Sequence, residues 1–179
     1  MLRFFLVCML GLGCIRPAEQ KTHQMPRGVT FQIRNAGITV NGSFSDLQTD
    51  IHFDPARLTE SLLSASVGAA TIRTGISLRD AHLQKRGYFD TDHHPRIRMV
   101  SKRIQKLSGN QFVGLFDLTI RDISREVELP FTYSLTGDIG HFRGQFKFNR
   151  QDFGIGTTSL VLADDVSVLL DVETPLKPL

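Results

Sequence analysis

Apolar and polar positions alternate with a period of two along most of the chain, the mark of strands with one buried face. Val29, Phe31 and Ile33 alternate with Thr30 and Gln32. Leu47, Ile51 and Phe53 fall on one face, and Gln48, Asp50 and His52 on the other. Val127, Leu129, Phe131, Tyr133 and Leu135 alternate with Glu126, Glu128, Thr132 and Ser134. Phe142, Phe146 and Phe148 alternate with Arg143, Gln145 and Lys147, and Val166, Val168, Leu170 and Val172 make the last such face. Short turn signals separate the runs: Asn35-Ala36-Gly37, Ser108-Gly109-Asn110, Arg121-Asp122, and Gly137 to Gly140. Connections this short make antiparallel hairpins, because parallel pairing needs a long crossover. The pattern predicts an all-β domain of about eight antiparallel strands, a number that closes into a barrel and removes exposed edges.

One segment breaks the alternation. Ser77 to Arg86 reads as a helix of about ten residues, with Ser77 and Asp80 in a capping arrangement and Gly87 as the stop. So short a helix is unstable alone and must pack on the sheet. Tyr88 and Phe89 follow at once and are placed to anchor it.

The amino terminus is of another kind. Residues 1–13 read as a signal peptide: Arg3 is the positive region, and Phe4 to Leu12 is an apolar stretch too short to span a bilayer. Gly13-Cys14 reads as a lipoprotein cleavage site, with Cys14 the lipidated first residue, although Gly11 stands where such signals prefer Leu. Ordinary cleavage is the alternative. Residues 14–27 read as a flexible tether and residues 28–175 as the barrel domain. The expected location is the bacterial cell envelope, periplasmic, with a lipid anchor as the link to the membrane.

Composition narrows the chemistry. The chain has 179 residues, of which 41% are hydrophobic and 22% charged, which suits one soluble domain rather than a disordered or polytopic protein. The net charge of +3 comes with no basic block, so nucleic acid is not an expected partner. Both cysteines, Cys8 and Cys14, lie in or beside the leader, which excludes disulfides and thiol chemistry from the domain. Asp90, Asp92, His93 and His94 are the nearest approach to a metal cluster, but they lack a regular ligand spacing, and no metal is expected. No phosphate loop, dinucleotide motif or nucleophile elbow occurs, so no cofactor is expected. Arg150 and Asp152 are candidates for a structural pair, and Asp164-Asp165 for a polar turn. Nothing in the sequence specifies an oligomer.

Four motifs in register carry a resemblance. They are Thr71 to Leu83 with Tyr88-Phe89-Asp90, His94-Pro95-Arg96-Ile97, Asp117 to Ile123, and Asn149-Arg150-Gln151-Asp152-Phe153-Gly154-Ile155. In this order, between about Val29 and Val172, they resemble the YceI-like family. The resemblance implies an extended lipocalin-like barrel, an elongated apolar cavity holding a polyisoprenoid or similar long-chain amphiphile, a periplasmic or secreted location, and no established catalysis. The chain departs from the family in having no histidine between Val29 and Asp50.

The residues supply candidates for such a site. Phe31, Phe53, Phe89, Phe131, Phe146, Phe148 and Val168 are candidate cavity-lining residues. The small residues Ser64 to Ala70 either leave room for a ligand or let the helix pack closely. Arg79, Asp80 and His82 are the candidate lipid head-group contacts: a guanidinium forks to a phosphate or carbonyl, and an imidazole donates or accepts near neutral pH. Tail burial dominates the energetics, at about 0.8 kcal/mol per methylene. The expected function is a binder that carries, stores or scavenges a long-chain lipid, and not an enzyme. The alternatives are an envelope protein-interaction module on the same fold, and a lipid- or quinone-modifying enzyme using His82 with Asp80.

Overall fold

The computed structural model describes residues 27–179. The leader, the Cys14 site and most of the tether lie outside the described residues. Nine strands follow: β1 (Gly28–Asn35), β2 (Ile38–Phe44), β3 (Gln48–His52), β4 (Leu62–Gly68), β5 (Arg96–Ser108), β6 (Gln111–Ile120), β7 (Ile123–Thr136), β8 (Ile139–Asn149) and β9 (Asp165–Pro175). One α-helix, α1 (Ser77–Leu83), lies between β4 and β5. All nine strands belong to one antiparallel sheet in the order β2-β1-β9-β8-β7-β6-β5-β4-β3. Consecutive strands from β3 to β9 are neighbours, those from β5 to β8 through short turns, and β1 sits beside β9, with Val29 opposite Leu170 and Phe31 opposite Val168.

The sheet is a curled half-barrel of nine strands, and the expected closed ring of eight is not what its hydrogen bonds make. The difference lies in β2 and β3. They form one descending run broken at Asp46, whose φ of 53° is left-handed backbone. Above the break the run pairs with β1, with Phe31 opposite Gly42. Below it the run pairs with β4, with Ile51 opposite Leu63. The kink is held by side chains. Arg96 donates to the Asp46 carboxylate (2.6 Å) and carbonyl (2.8 Å) and to the Ser66 hydroxyl (2.9 Å) and carbonyl (3.0 Å). The Thr71 hydroxyl bonds both the N–H and the carbonyl of Ser45.

Each outer strand is covered instead of paired, which blunts an edge open to aggregation. Ser43 of β2 exchanges both backbone hydrogen bonds with Arg73. On the β3 side, Thr49 and Thr174 share a hydroxyl–hydroxyl bond of 2.8 Å, and Lys177 donates its N–H to the Ile51 carbonyl. The segment between β4 and β5, α1 included, therefore fills the gap beside β2. The carboxy-terminal residues fill the gap beside β3.

The helix is shorter than its sequence pattern. It ends at Leu83, with Gln84 as the C-cap residue, and not at Arg86 before Gly87. Its N-cap position is Ile76, and no side chain caps it. Ser77 faces water, and the Asp80 carboxylate is used elsewhere. Tyr88 and Phe89 do anchor the segment: the Tyr88 ring meets His82 edge-on at 4.9 Å, and Phe89 meets Phe44 at 5.7 Å.

Candidate functional site

The inward faces of the strands do not meet in the upper half of the sheet. They leave a cavity of about 360 Å³, inside the range of roughly 300–1,000 Å³ usual for small-molecule sites. Its wall is the period-two apolar pattern brought together: Phe31 and Ile33 of β1, Ala65 and Val67 of β4, Ile97 and Met99 of β5, Leu118 and Ile120 of β6, Phe146 and Phe148 of β8, and Val168 and Leu170 of β9. Leu83, Tyr88 and Phe89 roof it. The small side chain of Ala65 lies on this inner surface, so that part of the small-residue run makes room inside, while Ala69 is buried in the connection beyond.

A narrower extension of about 60 Å³ continues below, sharing Ala65, Met99, Leu170 and Val172 with the main cavity. It reaches Ile51, Leu63, Phe116, Leu129, Phe131 and Phe142. Beneath it the barrel is solid. The Phe53 ring packs edge-on against Phe112 (5.3 Å), Tyr133 (4.7 Å) and Phe142 (5.5 Å), and Phe112 stacks on Phe131 at 5.5 Å. Two of the seven candidate lining residues therefore stand apart from the main cavity. Phe53 belongs to this aromatic floor, and Phe131 touches only the lower extension. Phe31, Phe89, Phe146, Phe148 and Val168 line the main cavity. Alternation alone assigns a residue to the inward face, but not to a height along the barrel.

The polar candidates divide likewise. Arg79 and His82 line the cavity where it approaches the surface, together with Asn35 and Leu162. Asp80 does not line it: its carboxylate is buried and accepts from the Thr74 N–H (2.8 Å) and hydroxyl (2.5 Å). Thr74 in turn receives Arg79, with Nε on its hydroxyl (2.7 Å) and an Nη on its carbonyl (2.7 Å). The two charges thus meet through Thr74. Asp80 serves the entry to α1, and Arg79 is held in one orientation at the mouth. No hydrogen bond joins His82 to Asp80 among the described residues.

Two arginines, Arg96, quoted only as part of a motif, and Arg150, expected to pair with Asp152, prove to be structural centres. Arg96 clamps the kink. Arg150, 2% exposed, is wholly buried beside the cavity. It donates to the carbonyls of Ala163 (3.0 Å), Ile155 (2.8 Å) and Thr157 (3.0 Å), and to the Asp164 carboxylate (2.7 Å). Its partner is therefore Asp164 and not Asp152, and the guanidinium gathers the loop from Ile155 to Asp164 over the cavity end. Burying that charge is tolerable only because so many oxygens face it. Gly156 is obligatory in this loop: its φ is +69°, and a Cβ would lie 3.0 Å from Tyr88 and 3.1 Å from Arg150.

Asp90, His93 and His94 form an ion-pair turn. His93 Nδ1 lies 2.9 Å from one Asp90 oxygen and His94 Nε2 3.8 Å from the other. The hydrogen bond from His93 holds the Asp90 carboxyl below its ordinary range, and the same bond raises His93 above 6.5. Asp92 does not join them: among the described residues no three potential ligands converge on one point.

A curled antiparallel sheet around one apolar cavity, roofed by a short helical segment, defines an all-β protein of lipocalin-like fold. The chain belongs to the YceI-like family, whose domain model matches residues 21–174. Relatives include a UPF0312 protein of Pseudomonas savastanoi, 26% identical over 149 residues, covering 78% of each chain. Another, from Pseudomonas putida, is 25% identical over 172 residues, covering 89% of this chain and 90% of its own. Among solved structures, Burkholderia cenocepacia BcnA superposes with a TM-score of 0.78 at 22% identity, over 82% of this chain and 95% of that one. The Campylobacter jejuni YCEI protein gives 0.69 at 26% identity, over 77% and 85%. A polyisoprenoid binding domain from Saccharophagus degradans, implicated in plant cell wall breakdown, gives 0.65 at 11% identity, over 84% and 94%. The similarities to the Burkholderia and Saccharophagus proteins are likenesses of fold.

Proposed function

We propose that the protein is an exported binder of a polyisoprenoid or similar long-chain amphiphilic lipid, held tail-first in the cavity as cargo, store or scavenged molecule. The observation that carries this reading is the cavity itself: an apolar space, walled by stiff aromatic and branched side chains, with its few polar groups gathered toward one end. A tail of about ten buried methylenes contributes on the order of 8 kcal/mol gross. Ordering and immobilisation offset a large share of that. Arg79 and His82 at the mouth then select the head group and set its direction. Family membership and the polyisoprenoid-binding description of the Saccharophagus domain support the ligand class. Export and acylation at Cys14 belong to the same proposal.

Binding, and not catalysis, is the activity this arrangement serves. The alternative of an enzyme using His82 with Asp80 draws less support, because Asp80 accepts from Thr74 and His82 packs on Tyr88.

The test is mass spectrometry of the protein exported to the envelope and purified without detergent. A native mass exceeding the polypeptide mass, with the excess recovered by solvent extraction as a long-chain lipid, is the expected result. A ligand-free mass, with no uptake of added polyprenyl or acyl lipids, overturns the reading. The denaturing spectrum of the same sample shows whether Cys14 carries acyl chains, a mass increment that Cys14→Ser removes.

A further inference from the structure

Three segments come together at the mouth of the cavity: the β1–β2 turn, the stretch from Arg73 through α1, and the loop at residues 157–163. Ala36 N–H donates to the Val161 carbonyl (2.7 Å), Ala163 N–H to the Arg34 carbonyl (2.9 Å), and Ser43 and Arg73 bond each other twice. The first two bonds join the turn to the loop; Ser43 lies at the far end of β2, and α1 meets turn and loop around the cavity that Asn35, Arg79, His82 and Leu162 all line. Large apolar side chains on these segments point into water: Leu78 is 83% exposed and Ile38 71%, and Ile76, Leu160 and Val161 are also exposed. These are five of the ten exposed large apolar residues among the described residues. Their gathering around one opening is what marks a contact surface, since scattered single residues need no explanation.

The charge of the same surface is one-sided. Residues 34–43, 73–89 and 155–163 carry Arg34, Arg73, Arg79, Lys85 and Arg86 against a single acid, Asp80. Asp80 is buried and spent on Thr74. Arg34 and Arg73 bond only backbone carbonyls, and Arg79 only Thr74. Asp164, just past the loop, is held by Arg150. Apolar tips interleaved with cations that no acid neutralises match an anionic lipid surface.

We propose that this end of the barrel docks on a bilayer containing anionic phospholipids. Leu78, Leu160, Val161 and Ile38 enter the interface, and Lys85, Arg86, Arg34 and Arg73 face the phosphates. The mouth is thereby pressed against the membrane, so a lipid passes between bilayer and cavity without crossing water. This proposal rests on the lipid-holding reading for its purpose, but not for its measurement.

The test uses the chain from residue 15 onward, exported behind a cleavable leader so that neither a leader nor an acyl chain contributes. It is floated with vesicles of phosphatidylcholine alone or with added phosphatidylglycerol. Flotation with the anionic vesicles only, weakened by salt, is expected. Leu78→Asp and Leu160→Asp should each lower partitioning about tenfold, and Lys85→Glu or Arg86→Glu about fivefold or more. Leu107→Asp, at an exposed leucine near the end of β5 and away from the mouth, should leave it unchanged. These substitutions fall on exposed side chains, so folding is preserved, and a melting curve for each verifies it. Absence of flotation overturns the proposal, as does flotation insensitive to the rim variants or a dimer that they dissolve. Native mass of the same samples separates the two readings. Protein that floats through the rim but holds no lipid keeps the docking surface and loses the carrier, while lipid-loaded protein that never floats does the reverse.

Discussion

At the residue scale two arginines show how a buried or half-buried charge is accommodated, by oxygens gathered around the guanidinium. Arg150 and Arg96 each gather four oxygens, and both lie in motifs that first suggested the family. Those motifs therefore record how the kink between β2 and β3 and the loop after β8 are held, rather than which atoms touch a ligand. Neither partner was legible in the sequence. Arg96 acts across fifty positions on Asp46, and Arg150 reaches Asp164 and passes over the nearer Asp152; no local pattern announces such partners. The Asp90–His93 pair gives a test by pH. His93 is raised in the folded state, so its contribution is fully present below 6.5 and is lost as pH rises through the raised value. Asp90 is lowered, so its contribution is present above 3.8 and is lost as pH falls through the lowered value. The stability difference between wild type and His93→Gln is expected to be greatest between those limits and to vanish in alkaline solution. Thermal unfolding of both proteins across the pH range checks it.

At the element scale, alternation located β1, β3, β7, β8 and β9, because one face of each is buried and the other wet, but picked out no run for β5 or β6. It was weakest where that contrast fails. β2 reads Ile-Thr-Val-Asn-Gly-Ser-Phe, and its inward position at Gly42 is filled not by its own side chain but by the ring of Phe31 across the ladder. β4 looked like a run of small residues because small residues are what its inner face needs beside the cavity. The helix lost its expected cap because Asp80 turned to Thr74. Gly42 offers an experiment: a Cβ there would stand 2.2 Å from the tip of the Phe31 ring. Gly42→Val is expected to push that ring into the cavity, to cost roughly 1–3 kcal/mol, and to abolish lipid retention. Urea unfolding and native mass together read both effects, and a variant that still carries its full lipid load would show that Phe31 has another place to go.

At the scale of the molecule, the barrel is divided by height. Its upper half is hollow and roofed by loops and α1, while its lower half is solid with Phe53, Phe112, Phe131, Tyr133 and Phe142. That floor limits how far a tail can descend. Phe142→Ala is expected to lower stability by about 3–5 kcal/mol and to extend the lower chamber. The lipids extracted from the variant should shift toward longer chains, and an unchanged length distribution would place the limit elsewhere. The general architecture could be read from periodicity, because an all-β pattern with short turns has few solutions. The division by height could not, because inward-facing phenylalanines look alike in sequence whether they wall a space or fill one.

The pairing of β1 with β9 has a consequence for the order of events in folding. Every strand from β3 to β9 can find its neighbour as soon as the next hairpin is made. The β1–β2 hairpin, formed first along the chain, has no ladder to join until the last strand exists. Closing that loop is entropically the slowest step. Until then the cavity has no front wall, and the wide-open trough between β9 and β1 is the state in which a long, stiff molecule could be laid in sideways instead of threaded through the mouth.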